Sequence, residues 1–397
     1  MHNSTKIKLF RILLRISYWP SLLLVYPFAR LKKKSTASIF FFFDRYSLGG
    51  AQRIHLDILK AMPEIPKDVF FTRLSPNRAF REEFYHSPAT SCCDIHFWCD
   101  NLFFRLFTVH YLCFYLNRHR RCTVLGANST FFYDMLPFLR KDTRRIELLH
   151  NFTFGKKGME FFGLASYHSL DFRIIYDEFT RENLRKQYEE YGIEKRWEDR
   201  ILFIEPGVDI PKEKIRQFED PLKIVCAGRG GAQKRIHLIN RIAEECLNRS
   251  LPVEFHFAGT LLEELSPEVK SYSVIHGEVR DPGKMGEILS FCDIALLTSA
   301  YEGFPMFIKE AMAHGCIPVA TALPGNRMHL ASNENSLLIE AVADENSVVI
   351  EGLEYIKALL RDRALCQKLS HEAYRYAAAH FTRDIFNMKY RELLLSR

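Results

Sequence analysis

Two glutamates, Glu302 and Glu310, stand eight positions apart around a turn and a predicted helix. Proline is well tolerated at the first position of a helix, so Pro305 predicts where this helix begins. The free amides at its N-terminus would form an anion site, with Glu302 beside it and Glu310 about 8–10 Å deeper along the helix. Because the two carboxylates would flank a phosphate pocket, the pattern suits a ligand with hydroxyls at both ends, as in a nucleotide sugar.

The segment 301–315 resembles the donor-binding motif of the retaining glycosyltransferases called family 4, which have the two-domain GT-B architecture. The continuation at 318–319 matches as well. The resemblance implies that Glu302 lies against the transferred sugar and that Glu310 binds the ribose hydroxyls of the nucleotide. The alternative is an ordinary amphipathic helix with two surface carboxylates. The resemblance also implies donor-binding residues in the turn and at the start of the helix, namely Gly303, Phe304, Pro305, Met306 and Phe307.

Arg229 and Lys234 follow a predicted strand and the glycine-rich turn 228–231. Two fixed cations five residues apart in such a loop can neutralise a diphosphate leaving group, and the resembled family has an Arg and a Lys here for that role. Solvated loop charges are the alternative, and the adjacent Arg235 leaves open which cation points inward. The glycines do not form a GxGxxG pattern, and no acidic residue ends a strand about 20 residues on, so a nicotinamide site is poorly supported.

Gly49, Gly50 and His150 are the candidates in the N-terminal half. The glycine pair stands where the first predicted strand ends, and glycine there lets the backbone approach a phosphate. It is similar to the first-domain glycine loop of the family, which implies a part in donor binding. His150 ends another predicted strand, and the family often has a histidine near here that contacts the transferred sugar. An ordinary turn and a core histidine are the alternatives.

Composition excludes several other classes of protein. The 397 residues suffice for two domains with full cores, and 47% apolar with 26% charged residues argues against disorder. A net charge of +7 fits phosphate ligands or an anionic membrane surface, whereas no nucleic-acid fold signature is present. The sequence has no Asp-x-Asp, the motif that holds a divalent metal in the other main glycosyltransferase architecture. We therefore expect activity that needs neither a metal nor a cofactor.

The ten cysteines form no regular framework, which is typical of a protein from a reducing cytosol. Cys92, Cys93 and Cys99 are the only cluster. They contain no CxxC pair, so we expect no zinc site there and assign the cluster no role.

Residues 6–34 form a basic and apolar segment. The apolar run 16–29 is shorter than the roughly 20 residues that a membrane-spanning helix needs, and basic residues flank it on both sides. We expect an interfacial anchor, with apolar groups at the lipid boundary and cations on anionic head groups. The alternative is a helix packed on the protein's own surface. The basic residues are Lys6, Lys8, Arg11, Arg15, Arg30, Lys32, Lys33 and Lys34.

Buried strands, glycine turns and amphipathic helices alternate twice along the chain, which predicts an α/β protein. We expect the GT-B fold, with two Rossmann-like doubly wound domains facing a central cleft. The membrane-associating segment would span 1–37. The acceptor domain would span 38–206 and include a returning helix at about 380–397, and the donor domain would span 207–379.

These features together predict a retaining glycosyltransferase that moves a sugar from a nucleoside-diphosphate sugar to an acceptor hydroxyl. The expected acceptor is a lipid-linked cell-surface glycan, at the inner face of the cell membrane. A nucleotide-sugar epimerase or a soluble disaccharide synthase of the same fold remains an alternative. So does a non-catalytic partner that binds the sugar nucleotide. The sequence leaves open the base, the sugar, the linkage and the acceptor.

Overall fold

The computed structural model describes residues 2–47, 49–153, 158–279 and 281–396, with residues 2–8 described as backbone only. Contacts between residues group the protein into two compact units. The first unit comprises Met1–Tyr176, Thr180–Glu205 and Phe386–Arg397, and the second comprises Asp177–Phe179 and Pro206–Ile385.

Each unit is built on one parallel β-sheet. The first sheet has the strand order β3-β2-β1-β4-β5-β6-β7, and the second has the order β10-β9-β8-β11-β12-β13. Both orders reverse direction next to the first strand of the sheet, which is the arrangement of a doubly wound Rossmann-like domain. The prediction of two such domains is confirmed. The strands are β1 (Ile39–Phe43), β2 (Lys67–Phe71), β3 (Thr90–Asp94), β4 (Thr123–Ala127), β5 (Arg144–Leu148), β6 (Phe172–Ile175), β7 (Ile201–Phe203), β8 (Leu222–Ala227), β9 (Val253–Ala258), β10 (Val274–Gly277), β11 (Ile294–Leu297), β12 (Ile317–Thr321) and β13 (Leu337–Ile339).

Helices connect successive strands and cover the sheets. The interior strand β1 is buried at all five positions, as expected for a strand with helices on both faces. The helices are α1 (His2–Leu24), α2 (Tyr26–Leu31), α3 (Gly50–Lys60), α4 (Arg81–Tyr85), α5 (His96–Asp100), α6 (Leu102–Leu116), α7 (Thr130–Met135), α8 (Met159–Gly163), α9 (Glu178–Glu190), α10 (Ile236–Asn248), α11 (Pro267–Tyr272), α12 (Pro282–Phe291), α13 (Met306–Ala313), α14 (Pro324–Arg327), α15 (Glu345–Arg361), α16 (Arg363–His380) and α17 (Arg383–Leu395).

The N-terminal helices α1 and α2 pack against α6 inside the first unit. Leu14 and Ala29 belong to the hydrophobic core on that side of the sheet. The buried His110 of α6 lies 3.0 Å from both the Ser17 hydroxyl and the Leu14 carbonyl, and Arg118 donates to the Ala29 carbonyl at 2.8 Å. One face of the predicted membrane-associating segment is therefore part of the fold.

The opposite face of α1 and α2 is apolar and exposed. It carries isoleucine, leucine, phenylalanine and tryptophan side chains, and the basic residues from Arg30 to Lys34 follow directly. The side chains of Lys6 and Lys8 lie outside the described ones. Among the described residues, no helix combines the length and apolarity that crossing a bilayer requires. The exposed apolar residues are Leu9, Ile12, Leu13, Ile16, Trp19, Leu23, Leu24, Phe28 and Leu31.

Two leucines of α1 test whether this helix is part of the folded core. Leu14 is 1% exposed and Leu23 is 81% exposed. We expect Leu14→Ala to lower the free energy of unfolding by about 2–5 kcal/mol, because it leaves a cavity against α6. The control Leu23→Ala should change it by less than about 0.5 kcal/mol. Urea unfolding measures both, and equal effects would mean that α1 does not belong to the core.

Candidate functional site

In the second unit, the glycine turn after β8 approaches another loop closely. Gly228 and Gly231 have φ angles of 139° and 122°, which side chains other than glycine rarely adopt. Gly259, which follows the neighbouring strand β9, packs against this turn, and a Cβ there would lie 2.1 Å from the Gly228 carbonyl oxygen. The backbone at this edge of the sheet is therefore fixed by glycines in the loops that follow two adjacent strands.

Lys234 and Glu302 form an ion pair beside this turn. The Lys234 Nζ lies 2.5 Å from Glu302 Oε1, and both side chains are partly buried. The Ser299 hydroxyl donates to the same carboxylate oxygen at 3.1 Å. The pairing connects the loop after β8 with the loop after β11, on the two sides of the switch point where ligands bind in open α/β sheets.

Hydrogen bonds from backbone and side-chain donors connect these two loops. The amide of Ala300 donates to the Gln233 carbonyl at 2.8 Å, and the Gln233 side-chain amide donates to the Tyr301 carbonyl at 2.9 Å. The Thr298 hydroxyl donates to the Lys234 carbonyl at 3.2 Å. The two loops that carry the ion pair are therefore bonded to each other and do not move independently.

Arg235 points into the protein and Lys234 points toward Glu302, which answers the question the sequence left open. The buried Arg235 guanidinium donates to the carbonyls of Thr298, Val342 and Ser299 at 2.7, 2.9 and 3.0 Å. Its backbone is left-handed, with φ 49° and ψ 51°, just before α10 begins. Burial lowers the pKa of Arg235, and the charge is held by three carbonyl dipoles.

Arg229 is exposed in the same loop, where its guanidinium is accessible to an anion. Glu264 was not predicted as a site residue, yet its carboxylate accepts a hydrogen bond from the Gly231 amide. A Cβ on Gly230 would lie 2.2 Å from Glu264 Oε1, so the carboxylate lies directly over the turn. An anion that uses the Gly231 amide must displace Glu264.

Helix α13 begins at Met306, with Pro305 as the N-cap residue instead of the first helical residue. The Pro305 carbonyl already accepts bonds from Ile308 and Lys309, at 3.0 and 3.2 Å. The amides of Met306 and of the next residue, Phe307, head the helix at its positive end, which favours anions.

The second glutamate of the motif, Glu310, is a half-buried residue of α13. It lies eight residues after Glu302, so the two carboxylates occupy the turn and the helix body as the sequence predicted. Its backbone carbonyl accepts from His314 Nδ1 at 2.9 Å.

A buried lysine and a ring cluster support the start of α13. Lys309 is fully buried, with its Nζ 5.4 Å from the Phe304 ring centroid and 4.7 Å from that of Phe381. The His329 ring lies tilted against the Phe304 ring, with 4.4 Å between the ring centroids. Part of the ring of Phe304, a predicted donor-binding residue, is therefore already in contact with the protein's own side chains. Lys309 was not singled out because a lysine in an amphipathic pattern usually lies in solvent.

Gly303 is fixed by a second glycine. A Cβ at Gly325, in helix α14, would lie 1.6 Å from the Gly303 carbonyl oxygen. Only glycine can occupy position 325 while the turn before α13 keeps its course. The turn that carries Glu302 is therefore fixed from both sides, by the loop after β8 and by α14.

In the first unit, Gly49 is the N-cap residue of α3 and Gly50 is its first residue. Gly49 has an extended backbone, φ 168°, that any residue adopts, and a Cβ there would meet only the flexible Gln52 side chain at 2.5 Å. A Cβ on Gly50 would meet open space. The backbone conformation therefore does not require glycine at positions 49 and 50. The prediction that they contribute to donor binding depends on the room they leave for a ligand at the start of α3.

His150 lies two residues beyond β5, at the carboxyl edge of the first sheet. It is buried, its Nε2 is 2.7 Å from His55 Nε2, and its Nδ1 is 3.3 Å from the Tyr176 hydroxyl. His55, on α3, stacks flat against Phe43 at 4.0 Å. Burial lowers the pKa of His150 to about 3, and burial followed by the neighbouring His150 lowers the pKa of His55. A direct contact between His150 and a sugar would replace one of these hydrogen bonds.

The structure thus brings together Lys234, Glu302 and the start of α13 in the second unit. Fixed cations, helix amides and carboxylates in this arrangement can bind a phosphorylated, hydroxyl-bearing ligand. Among the described residues, no group of three or more His, Cys, Asp or Glu side chains is placed to hold a metal ion.

A comparison with known protein families finds a match that covers this site. Residues 209–376 match the family described as Glycosyl transferases group 1. The match includes the glycine turn, both glutamates and α13. No curated protein matches the sequence.

The fold resembles those of several solved structures. Alr3699/HepE from Anabaena in complex with UDP aligns with a TM-score of 0.70 at 15% identity, over 91% of this chain and 100% of that one. A glycosyltransferase from Rickettsia africae ESF-5 gives 0.68 at 14% identity, over 91% and 100%. The apo form of the lipopolysaccharide outer core galactosyltransferase WaaB gives 0.65 at 16% identity, over 90% and 99%. These similarities confirm the predicted GT-B fold class.

The buried histidine pair predicts a pH-dependent stability. Since His150 has a pKa near 3 in the fold and about 6.5 unfolded, its neutral form stabilises the protein above pH 6.5, and this contribution is lost as the pH falls. Between about pH 7 and pH 5 the loss should be about 2 kcal/mol. We expect His150→Gln to remove this part of the pH dependence in urea unfolding. His86→Gln, at an exposed position of the same unit, should leave it unchanged.

Proposed function

We propose that this protein is a retaining glycosyltransferase that uses a nucleoside-diphosphate sugar. The observation that carries the proposal is the Lys234–Glu302 ion pair beside the N-terminus of α13, within the segment that matches the glycosyltransferase family. Cations and helix amides suit the diphosphate, and the carboxylates suit sugar and ribose hydroxyls. UDP is the first nucleotide to test, because the similar Anabaena structure contains it.

In the proposed reaction, the bond between the anomeric carbon and the diphosphate oxygen breaks through an oxocarbenium-like centre. The acceptor hydroxyl attacks on the same face, so the anomeric configuration is kept. The acceptor proton passes to the departing phosphate oxygen. Arg229, Lys234 and the amides that begin α13 offset the charge that develops on the diphosphate.

The remaining residues position the donor. Glu302 and His150 orient the sugar, and Glu310 fixes the ribose. Gly49 and Gly50 leave room for the donor at the start of α3. Since fixed cations supply the electrostatic stabilisation, the reaction needs no divalent metal. No side chain is assigned as a covalent nucleophile.

We further propose that the acceptor is a lipid-linked glycan and that the protein works as a peripheral protein on the cytoplasmic face of the membrane. The exposed apolar face of α1 and α2, followed by four basic residues within Arg30–Lys34, suits an anionic bilayer surface. The similar WaaB structure belongs to a lipopolysaccharide galactosyltransferase, which favours a cell-surface glycan.

The donor site is tested by binding and turnover in one panel. UDP, GDP, ADP and their sugars are screened by thermal shift on wild type and Glu310→Ala, with Glu287→Ala as an exposed glutamate control from the same unit. At a hundred times its dissociation constant, the right nucleotide should stabilise the wild type by about 2.7 kcal/mol, and Glu310→Ala should lose the shift. Lys234→Ala should weaken binding of the diphosphate but not of the nucleoside.

Turnover then separates the alternatives. We expect a product with the donor's anomeric configuration, formed equally in EDTA. A shift without any product would favour the non-catalytic partner, and release of an epimerised sugar would favour the epimerase. A soluble sugar as the preferred acceptor would favour a disaccharide synthase. Loss of turnover in EDTA that Mn²⁺ restores would contradict the metal-independent mechanism.

Membrane contact is tested with two matched isoleucines. Ile16, on the exposed face of α1, is 64% exposed, and Ile350, on α15 of the second unit, is 60% exposed. In sedimentation with phosphatidylglycerol vesicles, Ile16→Glu should weaken binding by roughly tenfold, because it places a carboxylate at the apolar boundary. Ile350→Glu should bind like wild type. Equal binding of both variants would contradict docking through α1.

A further inference from the structure

An open apolar pocket of about 650 Å³ lies in the first unit, bounded by α2, by strands β2 and β3, and by helices α5 and α6. Its volume is within the range of roughly 300–1,000 Å³ that is usual for small-molecule sites. Aromatic rings dominate its walls, with Phe28, Phe70, Trp98, Phe107 and Tyr111 among them. The site at the second sheet uses none of these residues.

The pocket has few polar groups, so its interior suits a hydrocarbon chain. None of the lining residues is acidic, and the Thr108 hydroxyl is already bonded to the Phe104 carbonyl at 2.9 Å. Lys32 is the only cation in the lining, and its Nζ lies 5.0 Å from the Tyr115 ring centroid. Lys33 and Lys34 follow it and are exposed. The pocket therefore combines an apolar interior with a cationic border.

The pocket opens among apolar residues that solvent reaches. Leu24 and Phe28 line it and are themselves exposed, at 61% and 67%. Trp98 of α5 and Phe103, near the start of α6, extend the exposed apolar surface on the other side. A chain leaving a bilayer that contacts α1 and α2 would thus meet a continuous apolar path into the pocket.

We propose that this pocket binds the hydrocarbon chain of an anionic lipid, with Lys32 and its neighbours on the negatively charged head group. Apolar walls favour the chain, and the cationic border with no acidic lining residue selects a negative head group. The proposal goes beyond the transfer reaction, since it needs neither donor nor turnover. It gives the cluster around Cys93, to which the sequence assigned no role, a place in a lipid site.

Cys93 provides a direct probe, because it lines the pocket and is exposed. Of the other cysteines, Cys92 is half-buried and the remaining eight are buried. Although solvent reaches Cys93, partial desolvation by the surrounding walls raises the pKa of its thiol, so the labelling is done at mildly alkaline pH. The rate of N-ethylmaleimide addition is followed by intact mass, with Cys93→Ser confirming the labelled position.

The labelling rate is compared with monomeric dodecyl phosphate, with inorganic phosphate and without additive. We expect dodecyl phosphate to slow the labelling by roughly tenfold or more through burial of the thiol, and inorganic phosphate to have no effect. Leu24→Glu, at the pocket mouth, should abolish the protection. Leu23→Glu, at the preceding residue and outside the lining, should retain the protection. Thr108→Phe, which fills the pocket, should also abolish it and serves if Leu24→Glu does not fold.

Three results would overturn the proposal. Unchanged labelling in dodecyl phosphate would mean that no chain enters. Equal protection in Leu23→Glu, Leu24→Glu and Thr108→Phe would mean that the detergent only coats the surface. Protection that depends on protein concentration rather than on lipid would assign the pocket to a contact between two copies. Since no sugar donor is present, none of these results bears on the transfer reaction.

Discussion

The candidate site depends on the hydrogen bonds that the buried guanidinium of Arg235 donates. It binds carbonyls of Thr298 and Ser299, directly after β11, while its own backbone ends the glycine loop after β8. A left-handed non-glycine residue is strained, and the guanidinium hydrogen bonds offset that strain. Because Arg235 is fixed, the preceding Lys234 is directed toward Glu302. An exchange to lysine would keep the charge but lose the planar fork that reaches several carbonyls at once.

Continuous apolar runs made much of the fold predictable. Strand β8 and helix α6 are apolar along most of their length, and a strand buried on both faces or a largely apolar helix leaves such an unbroken local pattern. Strand β3 was not predicted because it is a polar edge strand, with two of its five residues exposed and none buried. Strand β13 has only three residues, too few to show a period. His55 was missed because its partner lies 95 residues away, a distance at which local patterns carry no information.

The first unit also explains why the N-terminal segment was ambiguous in sequence. The sequence set an interfacial anchor against a helix packed on the protein's own surface, and the two are compatible. Leu14 and Ala29 pack into the core, whereas Trp19 and Leu23 remain exposed on the same helical segment. A helix that is apolar on both faces buries one of them in the core and leaves the other exposed. An exposed apolar face of this kind is typical of a surface that contacts a protein or a membrane.

The charges of the second unit explain what kind of ligand recognition the site can offer. Lys234 is already neutralised by Glu302, and the Gly231 amide is already used by Glu264. The net attraction for a diphosphate therefore falls on the exposed Arg229 and on the positive end of α13. A bare phosphate gains little from such a nearly balanced site. In the proposed function, a ligand that also offers hydroxyls to Glu302 and Glu310 would compensate for the displaced contacts, so the pairing would favour a nucleotide sugar over free phosphate.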